Sequence, residues 1–347
     1  MKTQTKNSTV IPGDRRKIIT SIDMHTCGEP LRILTGGLPF LEGNTILEKR
    51  KYFAEHFDNI RTALMFEPRG HADMYGAILT EPVSEGADLG AFFMHNEGYS
   101  TMCGHAIIAI TRYVLESAYV KKEGKTPVLE IDVPAGRIRS KAYMRNGRVD
   151  KVSFLNVPSF LLISDEKVEV RGIGRIRFDV AYGGAFYAFC DADELGLNLD
   201  KLDYSKMIDY GNKIKLAVME NFRIDHPFEP EMSFLYGTIF TGKAYELDNW
   251  SRNVCIFASG EVDRSPTGTG ISARAAIHYS RSELSVNERV TIESILGTTM
   301  HVEIKEELDY GPHQAVVPEV TARAYYTGSN EFWIDNDDPL KNGFILR

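Results

Sequence analysis

The feature that most constrains this chain is an internal repeat. Thr101–Ala109 reads Thr-Met-Cys-Gly-His-Ala-Ile-Ile-Ala, and Ser265–Ala273 reads Ser-Pro-Thr-Gly-Thr-Gly-Ile-Ser-Ala. Both fit Ser/Thr-x-Cys/Thr-Gly-x-x-Ile-x-Ala. Cys103 and Thr267 are 164 residues apart, close to half of the 347-residue chain. Phe93 and Phe257 stand at the same offset, as do Glu97 and Glu261. Downstream, Val128–Gly136 and Arg289–Gly297 both read as a strand followed by a glycine, at a slightly shorter offset. The chain therefore reads as two copies of one unit: strand, turn, polar residue at a helix start, helix, strand. A prior of roughly 150 residues per domain also gives two.

Within each copy the pattern is many short strands and few helices. Strands are expected at Ile18–Met24, Thr62–Glu67, Tyr75–Leu79, Leu89–Met94, Val128–Val133, Arg148–Leu155, Ile176–Val180, Phe186–Cys190, Asn253–Ala258, Arg289–Glu293 and Met300–Ile304. Gly, Pro and Asn separate most of them. Helices are expected at Glu48–Asn59, Gly104–Tyr119, Tyr204–Val218 and Gly268–Glu283. The helix after Cys103 is apolar nearly all round, which suits burial at the centre of a domain.

The repeated turn has a physical consequence. A polar residue followed by Gly and a run of good helix formers sits at a helix N-terminus. The first backbone N–H groups there lack intrahelical partners, and the macrodipole adds about half a positive charge. Such an end can stabilise a thiolate, lowering a thiol from about 8.5 into the range of roughly 3.5–7.5. It can also hold a carboxylate. Cys103 at such an end is a candidate base, or else a small buried hydrophobe. Thr267 can hydrogen-bond locally or cap its helix.

Gly268-Thr269-Gly270-Ile271-Ser272-Ala273 also matches G-x-G-x-x-A, the dinucleotide fingerprint. A nine-residue loop separates it from the strand ending near Ala258, and its surroundings read as antiparallel, which argues against a nucleotide site. His25, in the run Asp23–Pro30, and His71, in Arg69–Gly76, each read as part of a metal or catalytic cluster or as a strand end with a polar turn, the turn being the simpler case. Cys190 and Cys255 lie in apolar strands and read as core. The cysteines, four in number, show no CxxC pair, and the histidines show no HExxH, so no metal is expected.

Composition narrows the class of partner. Forty Lys and Arg against 48 Asp and Glu leave a net charge of −8 with no basic tract, so nucleic acid is not an expected partner. No apolar run reaches 18 residues, and Met1–Lys17 lacks an apolar leader core, so no membrane span or secretory signal is expected. A cytoplasmic protein with free thiols follows as the expectation.

These motifs resemble those of the proline racemase family. Met102-Cys103-Gly104-His105 and Asp263–Gly270 are similar to its two active-site motifs, and Asp23–Pro30 to its N-terminal motif, with Cys27 where glycine is expected. Tyr182-Gly183-Gly184, Glu293–Gly297 and the Asp338-Pro339…Gly343-Phe344 ending also fit, so the resemblance covers essentially the whole chain. It implies an α/β (α+β) fold like that of diaminopimelate epimerase. Two pseudo-symmetric domains would each be a curled, mostly antiparallel sheet around a central helix, with the active site between them. The expected domains are residues 15–175 carrying Cys103, completed by a C-terminal strand at 335–347, and residues 176–334 carrying Thr267.

Racemases of this family carry a cysteine on each side of the substrate's α-carbon. Here Thr267 stands in place of the second, and a threonine hydroxyl is far too weak an acid or base to replace a thiolate. Members with this Cys/Thr pairing remove water from trans-3-hydroxy-L-proline, giving Δ1-pyrroline-2-carboxylate. In that substrate the α-hydrogen and the hydroxyl share a ring face, so one thiol suffices for a syn elimination. The resemblance implies Cys103 as base, and Gly104, His105, Gly268 and Thr269 as carboxylate ligands. It implies Asp263 as the partner of the ring nitrogen. No cofactor is required by this chemistry, the expected partner is a small imino acid, and a homodimer is compatible. The alternatives are proline racemisation or 4-hydroxyproline 2-epimerisation, and a non-catalytic imino-acid binding protein.

Overall fold

The computed structural model describes residues 16–201 and 203–346. The stretch before Arg16, which includes the expected domain start at residue 15, lies outside them, as does Arg347. In the first half the elements run β1 (Lys17–Thr26), β2 (Glu29–Gly36), α1 (Ile46–Met65), β3 (Tyr75–Thr80), β4 (Leu89–His95), β5 (Tyr99–Ser100), α2 (Gly104–Glu116), β6 (Val128–Val133), β7 (Gly136–Arg145), β8 (Arg148–Leu155) and β9 (Ser159–Val170). The second half repeats that order. It comprises β10 (Gly174–Tyr182), β11 (Phe186–Asp191), α3 (Tyr204–Asn221), β12 (Leu235–Gly242), β13 (Ser251–Phe257), β14 (Glu261–Asp263), α4 (Gly268–Ser280), β15 (Arg289–Glu293), β16 (Thr299–Tyr310), β17 (His313–Ala322) and β18 (Ala324–Ile334).

The pairing repeats as well. β2 runs parallel to β3 and β4 to β6; β11 runs parallel to β12 and β13 to β15. The neighbouring pairs are antiparallel, as in β1–β2, β3–β4, β10–β11 and β12–β13. Each half curls its strands around one helix. α2 packs against β1, β2, β7, β8 and β18, and α4 against β9, β10, β11, β16 and β17. Burial explains why α2 can be apolar all round: Ile107, Ile108 and Ile110 are fully buried. Each such side chain contributes roughly 1.5–3 kcal/mol when removed from water.

The halves exchange their last strands. β18 pairs with β1 from Lys17↔Ile334 to Thr26↔Ala324, and β9 pairs with β10. Two expected boundaries are corrected by this. The first half does not extend to 175, because β9 lies in the sheet around α4. The strand completing the first half is β18, not residues 335–347. Residues 335–346 form turns, with a single bridge from Phe344 to Glu67. The run Asp335-Asn336-Asp337-Asp338-Pro339 explains this, since Asp, Asn and Pro are poor strand residues.

A third correction concerns Thr62–Glu67, expected as a strand. Residues through Met65 continue α1, whose start is fixed by a capping box between Thr45 and Glu48. Ile60, Ala63 and Leu64 are buried on one helical face. A short apolar run ending in Pro68 and Gly70 cannot be told from a strand by periodicity alone. Among the described residues no helix is long and apolar enough to cross a membrane.

Candidate active site

The two repeated turns meet. α2 and α4 point their N-termini at each other, and the contact is between glycines. A Cβ built on Gly104 would lie 2.9 Å from Gly268 Cα, and one on Gly268 would lie 3.0 Å from Gly104 Cα. The intrahelical ladders begin only at Ile107 N–H to Cys103 O and Ile271 N–H to Thr267 O. Neither Cys103 nor Thr267 caps its helix with its side chain. The leading N–H groups of two helices, and the positive ends of two dipoles, thus converge between the halves.

A cavity of about 20 Å³, room for one water, lies at this junction. Cys103, Gly104 and His105 line it from one half, and Asp263, Thr267, Gly268 and Thr269 from the other. All the residues expected at the site are therefore together, although up to 166 positions separate them in the chain.

Cys103 is 5% exposed, and its Sγ lies 3.1 Å from His105 Nδ1. A thiol lowered by its helix end is not what this closed cavity holds. Burial pushes Cys103 well above the usual thiol range. The Ala106 backbone N–H and the Tyr75 hydroxyl pull it back, while the Asp263 and Glu29 carboxylates push it further up. Desolvation outweighs the helix terminus when no cation is present. Burial likewise lowers His105 to about 4, which leaves a neutral imidazole beside the thiol.

On the other side, Asp263 Oδ2 accepts the Thr267 hydroxyl at 2.8 Å and Oδ1 accepts the Ser265 N–H at 2.7 Å. Thr267 N–H donates to Ser265 Oγ at 3.1 Å. These bonds hold Thr267 at φ 67°, a left-handed backbone that a β-branched residue adopts only under constraint. Of the two expected roles for its hydroxyl, local bonding is the one observed.

Glu29, Tyr75, Tyr187, Tyr236 and Cys255 also line the cavity and escaped the sequence reading. Glu29 is fully buried. Its Oε2 accepts the Arg264 N–H at 2.7 Å, and its Oε1 has no partner. Burial, then the Asp263 charge, pushes its carboxyl well above the usual range. The signal was present in the Asp23–Pro30 run, where a glutamate closes the turn. Cys255 is buried as expected of core, yet it also faces the site, on β13 opposite Asp263 in register. Its strand carries no free helix N–H to favour a thiolate, and burial raises it strongly.

The remaining motifs resolve as packing. His25 Nδ1 accepts the Gly28 N–H at 3.2 Å within the β1–β2 hairpin, and His71 is exposed against Ala72 O. Cys27 occupies this turn at φ 56°, which explains why glycine is expected there. Its Sγ–H donates to Thr299 O at 3.3 Å. In the Gly268-Thr269-Gly270 run, Gly270 is small for a packing reason. A Cβ there would lie 2.4 Å from Ile239 Cδ1.

Comparison with known proteins gives concordant results. The family model described as proline racemase matches residues 21–345. A Colwellia psychrerythraea protein named trans-3-hydroxy-L-proline dehydratase is 51% identical over 329 residues, covering 95% of this chain and 93% of that one. A Homo sapiens protein of the same name is 42% identical over 336 residues, covering 95% of each. The crystal structure of a hydroxyproline epimerase from Agrobacterium vitis, with bound trans-4-hydroxy-L-proline, superposes with a TM-score of 0.88 at 28% identity, covering 95% of this chain and 96% of that one.

Proposed function

The chain belongs to the proline racemase family, and from that premise we propose that it dehydrates trans-3-hydroxy-L-proline to Δ1-pyrroline-2-carboxylate. The observation that carries this reading is the pair of opposed helix N-termini, with a cysteine at one and a threonine at the other. The names of the full-length relatives support the dehydratase over the racemase and epimerase alternatives.

The chemistry follows from the groups present. The substrate carboxylate sits on the converging N–H groups of α2 and α4, led by Gly104, His105, Gly268 and Thr269. Charge flows into that carboxylate as the α-carbon loses its proton. Donors fixed in advance stabilise it, and removing one such donor costs about 3 kcal/mol. The cationic ring nitrogen bonds Asp263 and the unpartnered Glu29 Oε1. That cation offsets the Asp263 charge that adds to burial in raising Cys103, so binding itself favours the thiolate. Cys103 then takes the α-proton and returns it to the hydroxyl departing from the same face, which leaves as water and restores the thiolate. The resulting enamine tautomerises to the cyclic imine. Thr267, held by Asp263, supplies no second base.

A one-water cavity cannot admit a five-membered ring, so the side chains lining it must give way for entry. The four cysteines are unpaired, which fits a reducing, cytoplasmic setting. The test is imine formation from trans-3-hydroxy-L-proline, with Cys103→Ser as control. The variant should lose at least about 10³-fold in kcat, because a serine hydroxyl is too weak a base. Full activity in Cys103→Ser would remove the base assignment.

A further inference from the structure

Three tyrosines line the cavity, and their hydroxyls differ in one respect. Tyr75 bonds Ser100 Oγ, and Tyr187 bonds Thr269 Oγ1 at 2.7 Å. The Tyr236 hydroxyl is buried and makes no hydrogen bond of good geometry; the Tyr75 hydroxyl near it is engaged by Ser100 Oγ. Its ring cannot swing to find one. It stacks on Phe257 with centroids 5.4 Å apart, and it meets Tyr187 and His95 edge-on at 5.9 and 6.1 Å. A buried donor left unpaired is costly, so a rigidly held one facing a ligand cavity points to a polar group on the ligand.

The dehydratase reading, on which this inference rests, accounts for all the substrate's polar groups but one. The carboxylate has the helix ends, and the ring nitrogen has Asp263 and Glu29. The 3-hydroxyl has no assigned partner. Tyr75 and Tyr236 both pack on the rings of His95 and Phe257, and Tyr75 meets His105 edge-on at 4.9 Å beside the Cys103 sulfur, so the phenol lies toward the thiol side of the cavity. A syn elimination requires the leaving hydroxyl on that side.

We propose that Tyr236 grips the substrate's 3-hydroxyl on the Cys103 face and donates a hydrogen bond to it as it departs. The thiolate of Cys103 takes the α-proton and becomes a thiol. The freed electron pair forms the C2=C3 bond. The C3–O bond breaks with its pair on oxygen, and the Cys103 thiol returns the proton to that oxygen, releasing water and regenerating the thiolate. Tyr236 keeps its own proton throughout. Burial holds the phenol well above its ordinary range, which suits a donor that never ionises. The same contact sets specificity: proline, lacking the hydroxyl, leaves Tyr236 unpaired.

Tyr236→Phe preserves the ring stack and removes only the hydroxyl. Wild type and variant are compared in D₂O for imine formation, for deuterium at C2 of recovered trans-3-hydroxy-L-proline, and for inhibition by L-proline. The variant should lose about 10²-fold in kcat/KM for dehydration. It should keep its affinity for L-proline within about twofold, and it should gain deuterium in recovered substrate, because the carbanion forms but fails to expel hydroxide. Unchanged dehydration, or an equal loss of L-proline affinity, overturns the role of Tyr236 while leaving the dehydratase reading intact. Absence of imine from wild type overturns both.

Discussion

Alanine at position 104 should disable the enzyme while leaving most of the fold intact. The added Cβ would stand 2.9 Å from Gly268 Cα, 3.0 Å from Phe154 Cζ and 3.3 Å from Gly268 C. Comfortable carbon–carbon contact begins near 3.5 Å, so α2 and α4 must part by about 0.6 Å or more. Two of the three clashing atoms are backbone and cannot turn away. Overpacking of this kind costs about 1–3 kcal/mol, and alanine's better helix propensity returns up to ~1 of it. The net loss of stability is therefore about 1–2 kcal/mol, read as a lowered denaturant midpoint at unchanged slope. Activity should suffer more, because the displaced atoms carry the N–H groups for the carboxylate. Displacement by ~1 Å can cost 10²-fold in rate. The assay is kcat/KM for imine formation beside equilibrium unfolding. Gly268→Ala should behave alike, since its Cβ would meet Gly104 Cα at 3.0 Å. The double variant should depart from additivity, because both changes load one contact. A Gly104→Ala protein with native activity would refute the claim that the two helix ends act as one site.

Other outcomes follow from the same geometry. His105 titrates at about 4 in the fold against 6.5 when unfolded. Between those values the unfolded chain binds a proton that the folded chain refuses. Its contribution is thus full above pH 6.5 and is lost as pH falls toward 4, a change of about 3 kcal/mol. Urea midpoints measured across that window should fall less steeply in His105→Gln; an unchanged slope would contradict this. Cys27→Gly relieves a left-handed backbone at φ 56° but loses the thiol bond to Thr299. Its stability should stay within about 1 kcal/mol of wild type by thermal unfolding, and a loss above ~2 would show that the side chain, not the backbone, dominates. Thr267→Cys places a thiol at the second helix end and should introduce epimerisation of trans-4-hydroxy-L-proline, followed by deuterium entry with inversion at C2. No exchange above wild type would mean that position 267 does not face the α-carbon.

The repeat alone determined that this chain has two similar halves, and that Cys103 and Thr267 begin equivalent helices. Local chemistry suffices for that, because a polar residue before glycine and an apolar run is a helix start wherever it occurs. The β1–β2 turn at Cys27-Gly28 was legible for the same reason. Segments whose state depends on what covers them were not legible. Thr62–Met65 is apolar enough for a strand and is helical because Ile60, Ala63 and Leu64 share a buried face. The pairings of β18 with β1 and of β9 with β10 join segments remote in sequence or assigned to different halves, and no periodicity announces them. The site divides along the same line. Its motif residues could be named from sequence, but Glu29, Tyr236 and Cys255 join them only because separate strands end at one cavity. The state of Cys103 was also a tertiary matter. A helix terminus favours the thiolate through local dipoles, but how much water and how many carboxylates surround the sulfur depends on the packing of both halves, and in the closed cavity that environment prevails.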